Sequence, residues 1–363
     1  SPQLVLAGIV VLLIVVTTVF RPHLTLGLLA VYLPFESLVL KFVSDDVYVF
    51  ARYFSEGLIY LVALVVIWRI VAGKLKTKTT KLDLPFILLL LALIGSSIVN
   101  FVEPTVAILG IRQIIRFMIV FFLVVQISPS KTFIRNLTLI LFAVVLFQSV
   151  LGIAQSFIGE ALDVFLLPSE TRTLGSITLT LGVEQFWDPG SRVFATLGRY
   201  DRLGNFLYFF LLLGSGFLFT KKFTNDKRLL WLFALGFPTL VLTYSRSSWF
   251  AFILGFLFIG LLIKRDKRVL AGAAAFIMLV SVYLGISGLN VSQITESAGQ
   301  TLSERFYESF SYARWTGEYY GLGRVYWFVH TPTDVVTAAP ILGHGPGQYG
   351  GGAAAALHNT TVY

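Results

Sequence analysis

The sequence predicts an all-α polytopic membrane protein, a helical bundle with a large extracytoplasmic loop. Three observations carry that expectation. Of the 363 residues, 56% are hydrophobic and only 13% charged, whereas soluble domains are near half apolar and about a quarter charged. The mean hydropathy is +0.82. The apolar residues gather in runs such as LVLAGIVVLLIVVTTVF (4–20) and LVALVVIW (61–68), and runs of roughly 18 or more apolar residues cross a bilayer as helices.

Window hydrophobicity gives about ten spans, starting near Leu4, His23, Gly57, Leu84, Thr105, Ile134, Leu203, Leu229, Ser247 and Val269. The first is too long for a signal h-region and has no small-residue cleavage site, so it reads as a span. The loops KLKTKTTK (74–81), SPSKTFIR (128–135), KKFTNDKR (221–228) and KRDKR (264–268) are basic. By the positive-inside rule they face the cytoplasm. Alternating sides from these anchors puts 41–56, 159–202, 288–363 and the tight turn around Ser245 outside. The same parity puts Ser1 outside, which calls for a preceding helix or for a re-entrant or interfacial span; the sequence leaves both open. Two domains are expected: a core over 1–287, with its outer loop 159–202, and the extracytoplasmic loop 288–363, the chain ending before further spans.

The chain has no cysteine, which excludes disulfides and cysteine-ligated metal. Its formal net charge is +9; in a membrane protein such an excess reports topology, so no nucleic-acid partner is expected. The distribution says more than the sum. From residue 159 onward the outer segments hold Arg172, Arg192, Arg199, Arg202, Arg305, Arg314 and Arg324 but no Lys. Arg presents a planar fork that binds phosphate bidentately, whereas Lys is a point charge. The alternative is pairing with outer acids such as Glu184, Asp188, Glu304 and Glu318.

The stretch GHGPGQYGGG (343–352) contains G-x-G-x-x-G. It lies outside, with no strand or βαβ pattern around it, so a dinucleotide site fails its context test. Its glycines read as turn and close-approach residues. No H-x-x-x-H or outer Asp-x-Asp cluster is present, and Asp45-Asp46 reads as a solvated loop; neither metal nor cofactor is expected.

Three stretches then line up: RVFATLGRYDRLGNFL (192–207), VLTYSRSSWFAFILGFL (241–257) and GRVYWFVHTPTDVVTAAPILGHGPGQYG through LHN (323–359). In them the second half of the chain resembles the O-antigen ligase and O-antigen polymerase superfamily. That family has a membrane core, a large extracytoplasmic loop before its last spans, a Thr-x-Ser-Arg-type motif between spans, and P-x-x-G-x-G-x-G followed by H-N. Here the last pattern is Pro340, Gly343, Gly345, Gly347, His358 and Asn359. The chain departs from the family where Arg-Tyr-Asp-Arg (199–202) replaces an Asn-Pro-Asn-like element, which bears on Arg199 and Arg202.

The resemblance implies a C-type glycosyltransferase-like membrane fold in the inner or plasma membrane, its active site on the extracytoplasmic side. It implies inverting, metal-independent transfer from a polyprenyl-diphosphate-linked glycan donor to a hydroxyl of a glycan, lipid or protein acceptor. Arg246, at a membrane boundary where a charge is costly, and Arg324 would meet the diphosphate. The alternatives are a snorkelling arginine and a loop salt bridge. Arg112 and Arg116 share one helix face and either extend that site or line a polar seam. Arg199 and Arg202 are further substrate-binding candidates. His358 is the expected general base, its imidazole titrating near neutrality, with Asn359 orienting it or binding sugar and His344 as its rival. His23 and His330 read as structural or interfacial. The competing class is a flippase or transporter of lipid-linked oligosaccharide. It predicts midplane charges, broken helices and internal repeats, and no clear repeat is present.

Overall fold

The computed structural model describes residues 2–169, 171–174, 177–180, 192–218, 227–265, 269, 332, 333, 337, 339 and 341–348. Its helices in chain order are α1 (Pro2–Phe20), α2 (Pro22–Tyr32), α3 (Glu36–Lys41), α4 (Asp45–Arg52), α5 (Phe54–Val71), α6 (Asp83–Val99), α7 (Pro104–Ile127), α8 (Lys131–Ile158), α9 (Glu160–Leu166), α10 (Tyr200–Leu218), α11 (Lys227–Leu242) and α12 (Arg246–Leu257), the last continuing as a π-helical turn, Phe258–Ile263. Nine of the ten expected span starts fall at the beginnings of these helices. The tenth, Val269, is described only as a single helical residue.

Among the described residues five helical stretches are long and apolar enough to cross a membrane: Pro22–Lys41, Phe54–Val71, Pro104–Ile127, Lys131–Ile158 and Arg246–Ile263. Asp83–Val99 (α6) is a shorter apolar helix, and its packing is that of a helix solvated by lipid. In α6, Ser96 is 4% exposed while Ile98 is 68% exposed, and Leu84, Leu88 and Leu91 also face outward. In water such a helix would be inside out; in a bilayer the outward aliphatics meet acyl chains and the polar groups are satisfied internally.

The all-α expectation holds for the helical core, and the segment 159–202 adds one short hairpin. There β1 (Thr171–Leu174) and β2 (Ile177–Thr180) pair antiparallel, Thr171 opposite Thr180 and Leu174 opposite Ile177. β-Branched residues at most positions and a two-residue Gly-Ser separation specify such a hairpin. Asp45 and Asp46 likewise do not sit in a loop; they form the first turn of α4, where carboxylates complement the helix dipole.

The chain forms two compact units, interleaved in sequence. Unit one draws its described residues from Ser1–Gly27, Phe54–Ser130 and Tyr312–Tyr363, unit two from Leu28–Tyr53 and Lys131–Ser311. In unit one α5 packs between α1 and α7. Arg69, near the end of α5, donates to the last carbonyls of α1, Val19 O at 2.5 Å and Phe20 O at 3.0 Å, a cation at a helix C-terminus. At the same end Lys78 ties the basic loop to the end of α7, its amide donating to Gln126 Oε1 (3.0 Å) and its Nζ to Ser128 Oγ (2.5 Å).

Unit two is centred on α10, whose Leu203, Leu207 and Leu211 are fully buried at i, i+4 and i+8. Val145, Leu232, Leu240 and Phe252 from α8, α11 and α12 complete that core. Helices α8 and α11 approach closely because Gly152 faces Thr239, and Thr239 Oγ1 donates to Ser149 O at 3.0 Å. Small residues at such contacts let membrane helices pack backbone to backbone.

Candidate functional site

At one end of unit two the segment 192–199 runs as a buried, mostly non-helical strap. Its amides lack helical partners and must be paired elsewhere. Gln148 and Gln155, two turns apart on one face of α8, supply the partners. Phe194 N and Ala195 N donate to Gln155 Oε1 at 3.0 and 2.9 Å, and Thr196 N to Gln148 Oε1 at 3.2 Å. Thr196 Oγ1 accepts from Gln148 Nε2 (2.6 Å) and donates to Pro34 O (2.7 Å). Val193 N reaches across to Leu242 O at 3.3 Å, joining the strap to the end of α11.

The turn between α11 and α12 is the YSRSS motif. Tyr244 has φ +52°, a left-handed conformation uncommon for a bulky residue. Ser245 N donates to Thr243 Oγ1 (3.2 Å), and Trp249 Nε1 donates to Leu240 O (2.8 Å), closing the end of α11. Here α12 starts beside α10. A Cβ on Gly204 would lie 2.5 Å from Ser248 Oγ and 3.0 Å from Ser245 Cβ, so only glycine allows this approach. Ser245 Oγ and Ser248 Oγ lie 2.8 Å apart, and Ser248 Oγ lies 3.0 Å from Asn205 Oδ1.

Two helix N-termini therefore meet here, and their positive dipole ends act on the same space. Sequence places cations there too. Arg246 is the first residue of α12 and Arg202 lies in the first turn of α10, positions where the dipole disfavours positive charge. Such local conflicts collect at functional sites. Arg246 is half-buried and Arg202 exposed. Around Arg202 the neighbouring charges are Arg199, Asp201, Glu36 and Arg52. Arg199 is held in a fork by Asp201, Nε to Oδ1 and Nη2 to Oδ2, both 3.0 Å. Arg192 stacks on Tyr200 with its Cζ 4.4 Å from the ring centre. The opposite end of the unit carries Lys131, Lys227, Lys264 and Arg265.

Between the strap, the ends of α8 and α11, and α9 lies a partly open cavity of about 60 Å³. Gln155, Ser156, Asp163, Arg192 and Tyr244 give it a polar lining. Asp163 is 2% exposed, and its Oδ1 accepts from Gln155 Nε2 at 2.7 Å. Burial raises the Tyr244 hydroxyl pKa above its ordinary value, so the phenol stays protonated at neutral pH and can donate.

In unit one, Arg112 and Arg116 of α7 converge on Glu56 of α5. Arg116 Nη1 donates to Glu56 Oε1 at 2.8 Å, and Arg112 Nη1 lies 3.4 Å from Oε2. Glu56 is 7% exposed. At the same end of α7 the glycine-rich segment docks. Gly343, Gly345 and Gly347 have φ of +64°, +101° and +80°, which any other residue adopts only with strain. Ser96 Oγ donates to Leu342 O at 2.6 Å and Asn100 Nδ2 to Gly343 O at 2.8 Å. A Cβ on Gly110 would lie 2.6 Å from Gly347 N, and one on Gly345 would collide with Val102. The loop, with half-buried His344, thus seats on the Gly110 face of α7, while Arg112 lies about 200° around that helix.

The glycines thus follow from backbone geometry and close approach. Of the candidates, Arg112 and Arg116 meet each other and Glu56, and His344 lies in the docked loop of the same unit. Arg199, Arg202 and Arg246 belong to one end of unit two; Arg324, His358 and Asn359 lie outside the described residues. Sequence reading missed Glu56, Gln148, Gln155 and Asp163. Two glutamines seven apart in an apolar helix were the available signal for the strap; a lone Glu two residues into α5 gave less. No family model matches the chain, and no curated protein or solved structure matches it.

Proposed function

We propose that the protein is a membrane glycosyltransferase. It moves a glycan from a polyprenyl-diphosphate carrier to an acceptor hydroxyl on the extracytoplasmic side. The observation that supports this reading most is the joining of two motif segments, 192–207 and 241–257, at one arginine-bearing end of unit two. Lys131, Lys227 and Lys264 lie at the opposite end, which the positive-inside rule assigns to the cytoplasm, whereas Lys41 is at the arginine-bearing end, where it donates to Val164 O and Phe165 O of α9.

In this reading the diphosphate sits at the paired starts of α10 and α12. As the bond from the anomeric carbon to the phosphate oxygen breaks, negative charge grows on the diphosphate. Preorganised guanidiniums and amide dipoles there stabilise that charge more than they stabilise the substrate. Arg246, Arg202 and Arg199 supply the cations, with Arg324 a further candidate. The acceptor oxygen attacks the anomeric carbon from the opposite face and passes its proton to a base, His358 in this proposal. The configuration at that carbon inverts, and the lipid diphosphate leaves.

The test uses the full chain in nanodiscs with a defined polyprenyl-diphosphate glycan and candidate acceptors, the product read by mass spectrometry. A glycosylated acceptor is expected. Arg246→Ala is expected to raise KM for the donor and to lower kcat. His358→Ala is expected to lower kcat by roughly 10²–10⁴-fold with donor binding retained. Movement of the donor between leaflets without transfer would replace this reading with the transporter.

A further inference from the structure

The cavity behind the strap differs in chemistry from the arginine-bearing rim, and we infer that it is a subsite for the hydroxyl groups of a neutral saccharide. Its lining holds one carboxylate, Asp163, and one guanidinium, Arg192. Their formal charges cancel, so a diphosphate gains little by entering. A polyol, whose hydroxyls both donate and accept, suits a carboxylate and a guanidinium alike.

The lining is also fixed in place. Gln155 Oε1 takes two strap amides and its Nε2 donates to Asp163, so the amide cannot turn and the buried carboxylate is held in one orientation. Arg192 is pinned on the Tyr200 ring. Tyr244 lines the cavity from a left-handed backbone position, a strain that persists only where the surroundings enforce it and that clusters at ligand sites. A volume of about 60 Å³ has room for a few waters. A pyranose ring does not fit, but a hydroxymethyl group or two adjacent ring hydroxyls do, with the ring in the open mouth. Tyr244 precedes Arg246 by two residues in the same turn, so a sugar seated here lies near the proposed diphosphate. Reading that saccharide as the first sugar of the donor rests on the transferase proposal; the subsite itself does not.

Saturation-transfer NMR on the full chain in nanodiscs, with free glucose, galactose and N-acetylglucosamine, tests the subsite, and calorimetry with pyrophosphate tests the rim separately. At least one sugar is expected to bind. Asp163→Asn is expected to weaken it about tenfold, the size of losing a charged acceptor, and Tyr244→Phe to weaken it severalfold; both leave pyrophosphate binding unchanged. Arg246→Ala is expected to do the reverse. Should Asp163→Asn fail to fold, Tyr244→Phe carries the test alone. Absence of binding for all three sugars, meaning a cavity that holds only water, overturns the inference, as does undiminished sugar affinity in the folded variants. Sugar binding that Asp163→Asn removes, in a protein that transfers no glycan, keeps the subsite and discards the transferase; glycan transfer with no Asp163-dependent sugar binding does the opposite.

Discussion

Units one and two both place arginines among apolar helices, yet they treat them differently. In unit one Arg112 and Arg116 share a buried carboxylate from another helix, and the trio keeps one formal positive charge. In unit two Arg192 stacks on Tyr200 and Arg199 pairs with Asp201, both residues of their own segment, while Arg202 is exposed with Asp201 among its neighbouring charges. The contrast teaches that an arginine in an apolar run is ambiguous by itself. What decides its role is where the counter-charge comes from and how much solvent the pair keeps.

The contrast breaks most directly at Glu56. Removing one partner of a buried ion pair costs about 3–5 kcal/mol; Glu56 is buried but Arg112 and Arg116 keep 28% and 34% of their side-chain surface, which reduces the loss to about 1–3 kcal/mol. Glu56→Gln is therefore expected to destabilise the protein by about that amount in denaturant titration of detergent-solubilised chain. Glu56→Leu combined with Arg112→Met and Arg116→Met is expected to recover most of it, because an apolar replacement of the whole group is often neutral. An unchanged midpoint for Glu56→Gln would show that the pair is not structural, returning Arg112 and Arg116 to the ligand-binding candidates.

Glu56 also marks the limit of what the sequence discloses. Apolar runs and their breaks report local structure, so the starts of nine helices were legible. The hairpin has a local signature in its Thr-rich strands and Gly-Ser separation, but the apolar-run reading that places the helices gives the segment only as an outer loop. Glu56 lies 56 and 60 positions from Arg112 and Arg116, and Gln155 reaches strap amides some 40 residues away. Such pairings are fixed by packing, and no periodicity records them. The two-unit division is hidden for the same reason, since each unit is assembled from separated stretches. Arg246 was legible because a charge at a membrane boundary is conspicuous, whereas Asp163 resembled any acid in an outer loop.

A comparable effect sharpens the other half of unit one. The docking of residues 341–348 depends on missing side chains, so a methyl at Gly110 forces backbone apart. Gly110→Ala is expected to cost about 1–3 kcal/mol, as overpacking does, and to speed hydrogen exchange of the Leu342 to Gly347 amides. Gly57 in α5 has nothing within 4 Å of an added Cβ, so Gly57→Ala is the matched control. It is expected to leave that exchange unchanged and to stabilise the helix by roughly 0.5–1 kcal/mol. Equal exchange in Gly110→Ala and wild type would mean that the loop does not rest on α7.

The smallest expected change in stability sits in unit two. Arg199 and Asp201 keep 32% and 35% of their side-chain surface, and half-exposed ion pairs contribute about 0–1 kcal/mol. Asp201→Asn is therefore expected to shift the unfolding midpoint by less than that. Its effect on an anion has the opposite sense. Asp201 occupies the Arg199 fork and adds negative charge beside Arg202, so it competes with any phosphate that uses those guanidiniums. Neutralising it removes the competitor while keeping the side-chain shape. Pyrophosphate affinity, measured by calorimetry at low salt, is expected to rise severalfold and to fall back as ionic strength screens the site. Arg199→Ala, which also dissolves the pair, is expected to lower that affinity. If both substitutions leave it untouched, Arg199 and Asp201 form an ordinary surface pair, and the anion site narrows to the starts of α10 and α12 with Arg202 and Arg246.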